Sequence, residues 1–166
     1  MFGRLLALIA GAALAVAASQ GPAFSDQYMQ NLTGRIDELQ PIVEEFDAKV
    51  GEYNYSRAAA MAECSTASGL LEALCSTYET IVNRYETLLA HMAELNAASI
   101  WTRPLVLART YKKDIAESVY SAFKPAVPAT PEGFAYGGGG FLAGYIVPSI
   151  LFGLLGAMFG GGRRYA

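Results

Sequence analysis

The stretch Phe141–Phe159, FLAGYIVPSILFGLLGAMF, decides the fold of this 166-residue chain. It lies inside thirty consecutive residues, Gly133 to Gly162, that carry no charge. About 20 apolar residues in a helix are enough to cross a bilayer. The stretch is too apolar for a soluble surface and too rich in glycine for an ordinary core helix. The sequence therefore predicts a C-terminal, glycine-rich transmembrane helix over residues 134–162.

A second uncharged stretch, Leu5 to Ser25, lies at the N-terminus, and its continuous apolar part, LLALIAGAALAVAA, covers only residues 5–18. Fourteen apolar residues after a single arginine, followed by small residues, are typical of a cleavable signal peptide. The same stretch spans a membrane if residues 19–24 extend the helix into the headgroup layer. We interpret residues 1–25 as an N-terminal transmembrane helix, with a signal peptide as the alternative.

The charges are concentrated between the two uncharged stretches. All fifteen acidic residues lie between Asp26 and Glu132, together with nine Lys or Arg, so this region has a net charge of −6. Such a balance gives no electrostatic reason to bind nucleic acid or anionic lipid. We therefore expect no nucleic-acid partner.

Positive residues immediately outside the two stretches predict the topology. These are Arg4 at one end and, in a short tail at 163–166, Arg163 and Arg164. They favour a bacterial inner-membrane protein with both termini in the cytoplasm and the central domain in the periplasm. The bias is modest, because Arg35 and Lys124 lie near the opposite ends of the spans.

The two cysteines, Cys64 and Cys75, form an even pair in a region predicted to be oxidising. They flank a Ser-Thr-Ala-Ser-Gly segment, so we predict a disulfide that closes this turn, with two buried free thiols as the alternative. A metal site is not expected. The single histidine, His91, is sixteen residues from the nearer cysteine, and no C-x-x-C spacing occurs.

The first part of the central region, residues 26–124, has the apolar spacing of a coiled coil. From Met29 to Val50 the apolar residues alternate at intervals of three and four, as in an a/d seam. Pro41 falls at an outer position of this helix, where we expect a gentle kink and no break. Gly51 is predicted to end the helix in a left-handed conformation.

A stricter seam follows in a helix predicted over residues 68–97. We call it the second heptad seam, and its members are Leu71, Leu74, Tyr78, Ile81, Tyr85, Leu88, Met92 and Leu95. It should be buried in a helical bundle, while Glu72, Glu79 and Glu86 form a solvated stripe on the opposite face. His91 lies beside the seam and is interpreted as a solvated helix residue, not a general base.

Two weaker helices complete the bundle, Ser56 to Cys64 and Thr102 to Lys124. A Pro-rich connector follows at 125–133, in which Thr130 can cap the last helix and Pro131 suits its first position. No strand-like alternation occurs. The predicted fold is an all-α membrane protein, in which two transmembrane helices flank a heptad-patterned helical bundle.

Small residues recur at helical spacing in both apolar stretches. They form the sets Ala7/Gly11/Ala15, Gly140/Gly144 and Gly156/Gly160. Small-x-x-x-small faces let two backbones approach closely in lipid. We predict that these faces pack the two spans together or across subunits, with incidental composition as the alternative. The run Gly137 to Gly140 is expected to leave the start of the last helix irregular, and Pro148 to kink it.

Several segments resemble a proteobacterial membrane-protein family known only as domain of unknown function 2937. They are MFGRLLALIAG, ASQGPAFSDQYMQNLTGRIDEL, FKPAVPATPEGF and GFLAGYIVPSIL, and they span nearly the whole chain. The resemblance implies two membrane segments around a helical region, and it implies no substrate or reaction.

These patterns favour an interaction protein over an enzyme. We find no catalytic constellation, cofactor or small-molecule site, and no charged or amide side chain at membrane depth. The leading hypothesis is an inner-membrane scaffold or accessory subunit that contacts itself or a larger membrane complex through its helices. The alternative is a small transport or channel component formed by oligomerised glycine-rich spans.

Overall fold

The computed structural model describes residues 2–125 and 129–159. Within these ranges the chain forms six helices and no strand: α1 Phe2–Glu52, α2 Arg57–Cys64, α3 Leu70–Ala97, α4 Arg103–Thr110, α5 Lys113–Ala122 and α6 Pro131–Phe159. The all-α fold is therefore confirmed. The predicted roles of Gly160, Arg163 and Arg164 lie outside the described residues, as does the middle of the connector, 126–128.

Helix α1 is the longest helix, and all the other described helices contact it. The N-terminal apolar stretch and the first heptad helix, predicted as separate elements, form one continuous helix of 51 residues. At 1.5 Å per residue this helix is about 75 Å long. Helix α6 lies antiparallel along its first half, since Phe152 contacts Gly3 and Gly137 lies beside Ala15.

The bundle forms around the second half of α1. Helix α3 runs antiparallel to it, because Tyr28 contacts His91 near one end and Phe46 contacts Tyr78 near the other. Helices α4 and α5 pack against the middle of α1. Tyr28 lies at the centre of the core, whose other buried members are Leu32, Ile36, Leu88, Leu95, Leu107, Ile115 and Val119.

The end of α1 differs from the expectation for Gly51. The helix continues through Pro41, as expected, but Gly51 is still helical and Asn54 takes the left-handed conformation, with φ 62°. The Tyr55 N–H donates to the carbonyl of Val50 and the Asn54 N–H to that of Gly51, at 3.0 and 2.9 Å. These two bonds make a Schellman motif, in which Asn replaces the usual glycine because its short polar side chain tolerates this conformation.

The helix predicted over 102–124 is broken in two. Tyr111 and Lys112 are extended, with ψ of 146° and 124°. The Lys112 N–H donates to the hydroxyl of Tyr28 at 2.8 Å, so this donor is satisfied without a helical partner. The break lets Leu107 of α4 and Ile115 of α5 both enter the core, whereas Leu105 of α4 is exposed.

The second heptad seam is buried along only part of its length. Leu88 and Leu95 are 3% and 0% exposed, and Ile81, Tyr85 and Met92 are half-buried. The prediction is wrong for its first three members, since Leu71, Leu74 and Tyr78 are 59%, 53% and 38% exposed. These side chains are exposed because the neighbouring helix, α2, is short and does not cover them; α2 itself has no buried residue.

Helix α6 begins as the sequence predicts. The Thr130 side-chain oxygen accepts a hydrogen bond from the Gly133 N–H at 3.2 Å, and Pro131 is the first helical residue. The expectation of an irregular start is wrong, because residues 137–140 are helical. Gly137 and Gly140 lie against α1, whereas a Cβ added to Gly138 or Gly139 would meet nothing within 4 Å.

Candidate functional site

The two apolar helices expose most of their large side chains. Each contains an 18-residue window of mean hydropathy 1.7, of which 22% in α1 and 6% in α6 is buried. A core helix of a soluble protein would be mostly buried. Both helices are long and apolar enough to cross a membrane. The outward-facing side chains include Leu5, Ile9 and Val16 on α1 and Leu142, Val147, Ile150 and Leu154 on α6.

The glycines predicted to mediate packing bring these two helices together within one chain. A Cβ added to Gly144 would lie 2.7 Å from the carbonyl oxygen of Ala10, and one added to Gly140 would collide with the carbonyl oxygen of Leu14. On the facing helix, a Cβ at Gly11 would lie 3.1 Å from the carbonyl oxygen of Phe141. Only glycine permits this approach of the two backbones.

Gly156, the fourth glycine assigned to helix packing, has a different environment. A Cβ added there would meet no atom within 4 Å. Among the described residues Gly156 therefore does not pack against α1, and packing of this face across subunits stays a prediction.

A buried polar network joins three parts of the bundle. Tyr28 is fully buried, and its hydroxyl accepts the Lys112 N–H at 2.8 Å. Its own proton can then be donated to His91 Nε2, 3.0 Å away. This assignment leaves the His91 proton on Nδ1, which lies 3.6 Å from a carboxylate oxygen of Glu94.

His91 is 4% exposed, so its interpretation as a solvated residue is wrong. Burial is the largest influence on this imidazole and lowers its pKa below the ordinary value, with Glu94 acting in the opposite direction. Burial also raises the pKa of Tyr28. The pair therefore exists as neutral groups whose hydrogen bonds connect α1, α3 and the α4–α5 junction.

Two ion-pair clusters reinforce the same arrangement from outside. Asp114 accepts hydrogen bonds from Arg84 at 2.7 Å and from Arg35 at 2.9 Å, which connects α5 to α3 and α1. The Arg84 hydrogen bond is the main reason that the pKa of Asp114 lies below its ordinary value. In the second cluster, Arg57 of α2 pairs with Asp47 and Glu86. Such solvent-exposed pairs contribute little stability individually.

The structure joins the two cysteines. Cys64 at the end of α2 and Cys75 in α3 form a disulfide with a Cα–Cα separation of 5.5 Å, a normal value. The bond fixes α2 to α3 in a region where little else packs. Over residues 2–125 and 129–159, no cluster of three or more His, Cys, Asp or Glu is placed to hold a metal ion.

An open groove lies at the end of the bundle farthest from α6. We call it the distal groove; it has a volume of about 800 Å³ and is lined mainly by Phe46, Val50, Tyr53, Tyr55, Leu71 and Tyr78. Two of the lining rings, those of Phe46 and Tyr78, pack against each other with centroids 4.9 Å apart. Leu70 and Leu74 are also exposed on α3, the helix that contributes Leu71 and Tyr78 to the groove. Exposed apolar surface at helical spacing is the form taken by sites that receive an amphipathic helix.

Together these features define a class: an all-helical protein with a small bundle on an antiparallel pair of apolar helices. The family model described as "Protein of unknown function (DUF2937)" matches residues 2–161. The chain therefore belongs to this family, in agreement with the segments noted in the sequence. No curated protein and no solved structure matches it.

Proposed function

We propose that the protein is a bacterial inner-membrane scaffold or accessory subunit that acts through helix–helix contacts with a second copy or with a larger membrane complex. One observation carries the proposal: the first part of the second heptad seam, Leu71, Leu74 and Tyr78, is exposed. A seam of this spacing normally packs against another helix. Phe46 of α1 packs against Tyr78, yet all three side chains keep more than a third of their surface exposed.

Membrane anchoring is supported by the dimensions of the two apolar helices. The segment from Leu5 to Phe24 has 20 residues and is about 30 Å long, the thickness of a bilayer's hydrocarbon core. Gly137 lies beside Ala15 and Ser19, so the antiparallel α6 begins near the level at which the apolar part of α1 ends. At that level the first charged residue after the N-terminal span is Asp26, and the last charged residue before the C-terminal span is Glu132.

The proposed topology places both termini in the cytoplasm and the bundle in the periplasm. Its supports are the positive residues outside the spans and the disulfide between Cys64 and Cys75, a bond that persists in oxidising compartments. We further propose that residues 1–25 are retained. Cleavage after Ala18 would remove Ala10, Gly11 and Leu14, against which α6 packs.

The distal groove is the proposed contact with the partner. An amphipathic helix with apolar a and d positions would extend the buried half of the seam toward the free end of α3. Leu71 and Tyr78, which line the groove, would then become buried, as in the part of α3 that already packs on α1. The channel alternative has less support, because Gly140 and Gly144 already contact α1.

The test is purification of the full chain from membranes in mild detergent, with the co-migrating protein quantified by mass spectrometry. Leu74→Asp changes an exposed seam position, so it should abolish co-migration without lowering the melting temperature. Ser76→Asp is the matched control, an exposed position on the same helix outside the seam.

Two results would contradict the proposal. One is unchanged co-migration for Leu74→Asp, which would place the contact elsewhere. The other is ion leakage from liposomes that contain the purified chain alone, which would favour the channel alternative.

A further inference from the structure

The segment 99–124, which contains α4 and α5 and is called here the elbow, lies where the two apolar helices meet the bundle. Two contacts fix this position. The Tyr136 hydroxyl of α6 donates to the carbonyl oxygen of Trp101 at 2.5 Å. The ring of Phe123 packs edge-on against that of Phe24 in α1, with centroids 5.6 Å apart. Both ends of the elbow are thus held at the boundary of the apolar stretches.

The elbow carries a charge opposite to that of the rest of the bundle. Its five basic residues and two acidic residues give +3, whereas residues 26–98 contain four basic and twelve acidic residues and give −8. Both elbow carboxylates are paired, Asp114 with Arg35 and Arg84, and Glu117 with Lys113. Although the central region is acidic overall, the elbow, the part that adjoins the apolar helices, is basic.

Exposed aromatic residues accompany these charges. Trp101, Tyr111 and Tyr120 of the elbow all present large parts of their rings to the outside, as does Phe134 at the start of α6. Tryptophan and tyrosine are enriched where proteins meet the lipid headgroup layer, with lysine and arginine reaching into the same layer. The elbow thus has the composition of a membrane-interface surface.

A groove of about 470 Å³ separates the elbow from α1, and we call it the elbow groove. Gly21 and Phe24 form one wall, and Pro104, Ala108 and Tyr120 are on the other. Its surface is almost entirely apolar. Such a lining favours a hydrocarbon chain over the polar backbone of a peptide, and the groove adjoins the apolar segment of α1.

We propose that the elbow groove binds an acyl chain of an anionic phospholipid, whose headgroup lies against the basic residues of the elbow. The inference rests on the proposed membrane anchoring, which brings lipid to this level. The apolar lining suits a hydrocarbon chain, and the local charge of +3 suits a negative headgroup. A lipid held there would fill the space between α1 and the elbow.

The first test uses native mass spectrometry of the full chain in mild detergent, with dioleoyl phosphatidylglycerol or dioleoyl phosphatidylcholine as the added probe. The wild type should retain one phosphatidylglycerol. Ala108→Phe should lose it, because Ala108 is exposed on the wall of the groove and a phenyl ring would occupy the space. Ala93→Phe, an exposed site on α3 outside the groove, is the control and should retain the lipid.

The headgroup contact is tested separately with Arg109→Gln. Each basic side chain near an anionic surface is worth about a fivefold change in affinity, so this variant should bind phosphatidylglycerol about fivefold more weakly. Its binding of phosphatidylcholine should not change. Equal retention of phosphatidylglycerol by wild type and Ala108→Phe, or equal affinity of the wild type for the two lipids, would overturn the proposal.

A second readout needs no variant, because Trp101 is the single tryptophan of the chain. In phosphatidylglycerol nanodiscs, a spin label near the headgroup end of the acyl chain should quench its fluorescence more strongly than a label near the methyl end. If the protein resists alkaline extraction but its Trp101 fluorescence is not quenched, the lipid contact is overturned and the membrane anchoring is not. Release by alkaline extraction would instead overturn the membrane anchoring on which it rests.

Discussion

Replacing Gly144 by isoleucine should separate α1 from α6 while leaving the span apolar. The added Cβ would lie 2.7 Å from the carbonyl oxygen of Ala10 and 2.9 Å from the Cα of Gly11. Ordinary contact begins at 3.4 Å, so the backbones must move apart by about 0.7 Å, and the rest of the side chain adds to this. A gap of about 0.5–1 Å removes roughly a quarter to a half of each dispersion contact.

The expected loss of stability is about 1–3 kcal/mol, the usual cost of overpacking. For a chain of this size each kcal/mol moves the melting temperature by about 2–4 °C, so we expect a decrease of about 2 to 12 °C in mild detergent. Trp101 fluorescence reports the transition, since its carbonyl is bound by α6. Gly153→Ile is the control on the same helix, because a Cβ there meets nothing within 4 Å. Equal melting temperatures for the two variants would refute the assigned contact.

Three further predictions concern the bundle. Alkylation of denatured, unreduced protein should leave Cys64 and Cys75 unlabelled, and their loop should contribute about 2–3 kcal/mol; full labelling would show free thiols. Leu88→Asp puts an unpaired charge in the core and should cost several kcal/mol in thermal unfolding, whereas Glu79→Ala should cost little. Burial holds the folded-state pKa of His91 below its unfolded value of about 6.5, so stability should be constant above that pH and decrease below it. His91→Gln should remove this decrease, and an unchanged pH dependence in the variant would exclude His91 as its cause.

The loss of stability below pH 6.5 can be assigned to His91, because the paired carboxylates Asp47 and Asp114 titrate at lower pH. Hydrogen bonds from Arg57 and Arg84 hold the pKa values of Asp47 and Asp114 below 3.8. A carboxyl whose folded pKa is lowered contributes stability above its unfolded pKa and loses it as the pH falls toward the folded value. Both groups therefore begin to lose their contribution only near pH 4, outside the range where His91 titrates.

Features set by local sequence could be predicted. The 3-4 spacing of apolar residues identified α3 and the second half of α1, since helical periodicity depends on neighbours within one or two turns. The Thr130-Pro131 start of α6 rests on bonds within one turn. The disulfide closes a short loop, so the positions of Cys64 and Cys75 in sequence already limited their distance in space.

Features that depend on residues distant in the sequence could not be predicted from it. The burial of His91 depends on Tyr28, which is 63 residues away. The break at Lys112 has no Gly or Pro to mark it and depends on the same Tyr28 hydroxyl. Periodicity identified the face on which Leu71 and Leu74 lie, but it carries no information on whether another helix covers that face.

The glycine motifs lie between these cases. The spacing of Gly140 and Gly144 predicted a close approach of backbones, because small residues leave room for it. The identity of the approaching helix followed only from the structure, which places Ala10 and Gly11 there. Gly156 has the same spacing signal, but among the described residues a Cβ there would meet nothing within 4 Å, since spacing alone does not determine whether a helix faces it.

The most direct test of the proposed function is site-specific photo-crosslinking in intact cells from position 74. A photoreactive residue replacing Leu74 should form one discrete adduct, either with a second copy or with one other membrane protein, because Leu74 is a seam residue that is 53% exposed. The same residue at Glu79, on the solvated stripe, should form none. Absence of an adduct at position 74, or equal adducts at both positions, would contradict the account of this protein as a helix-docking membrane subunit.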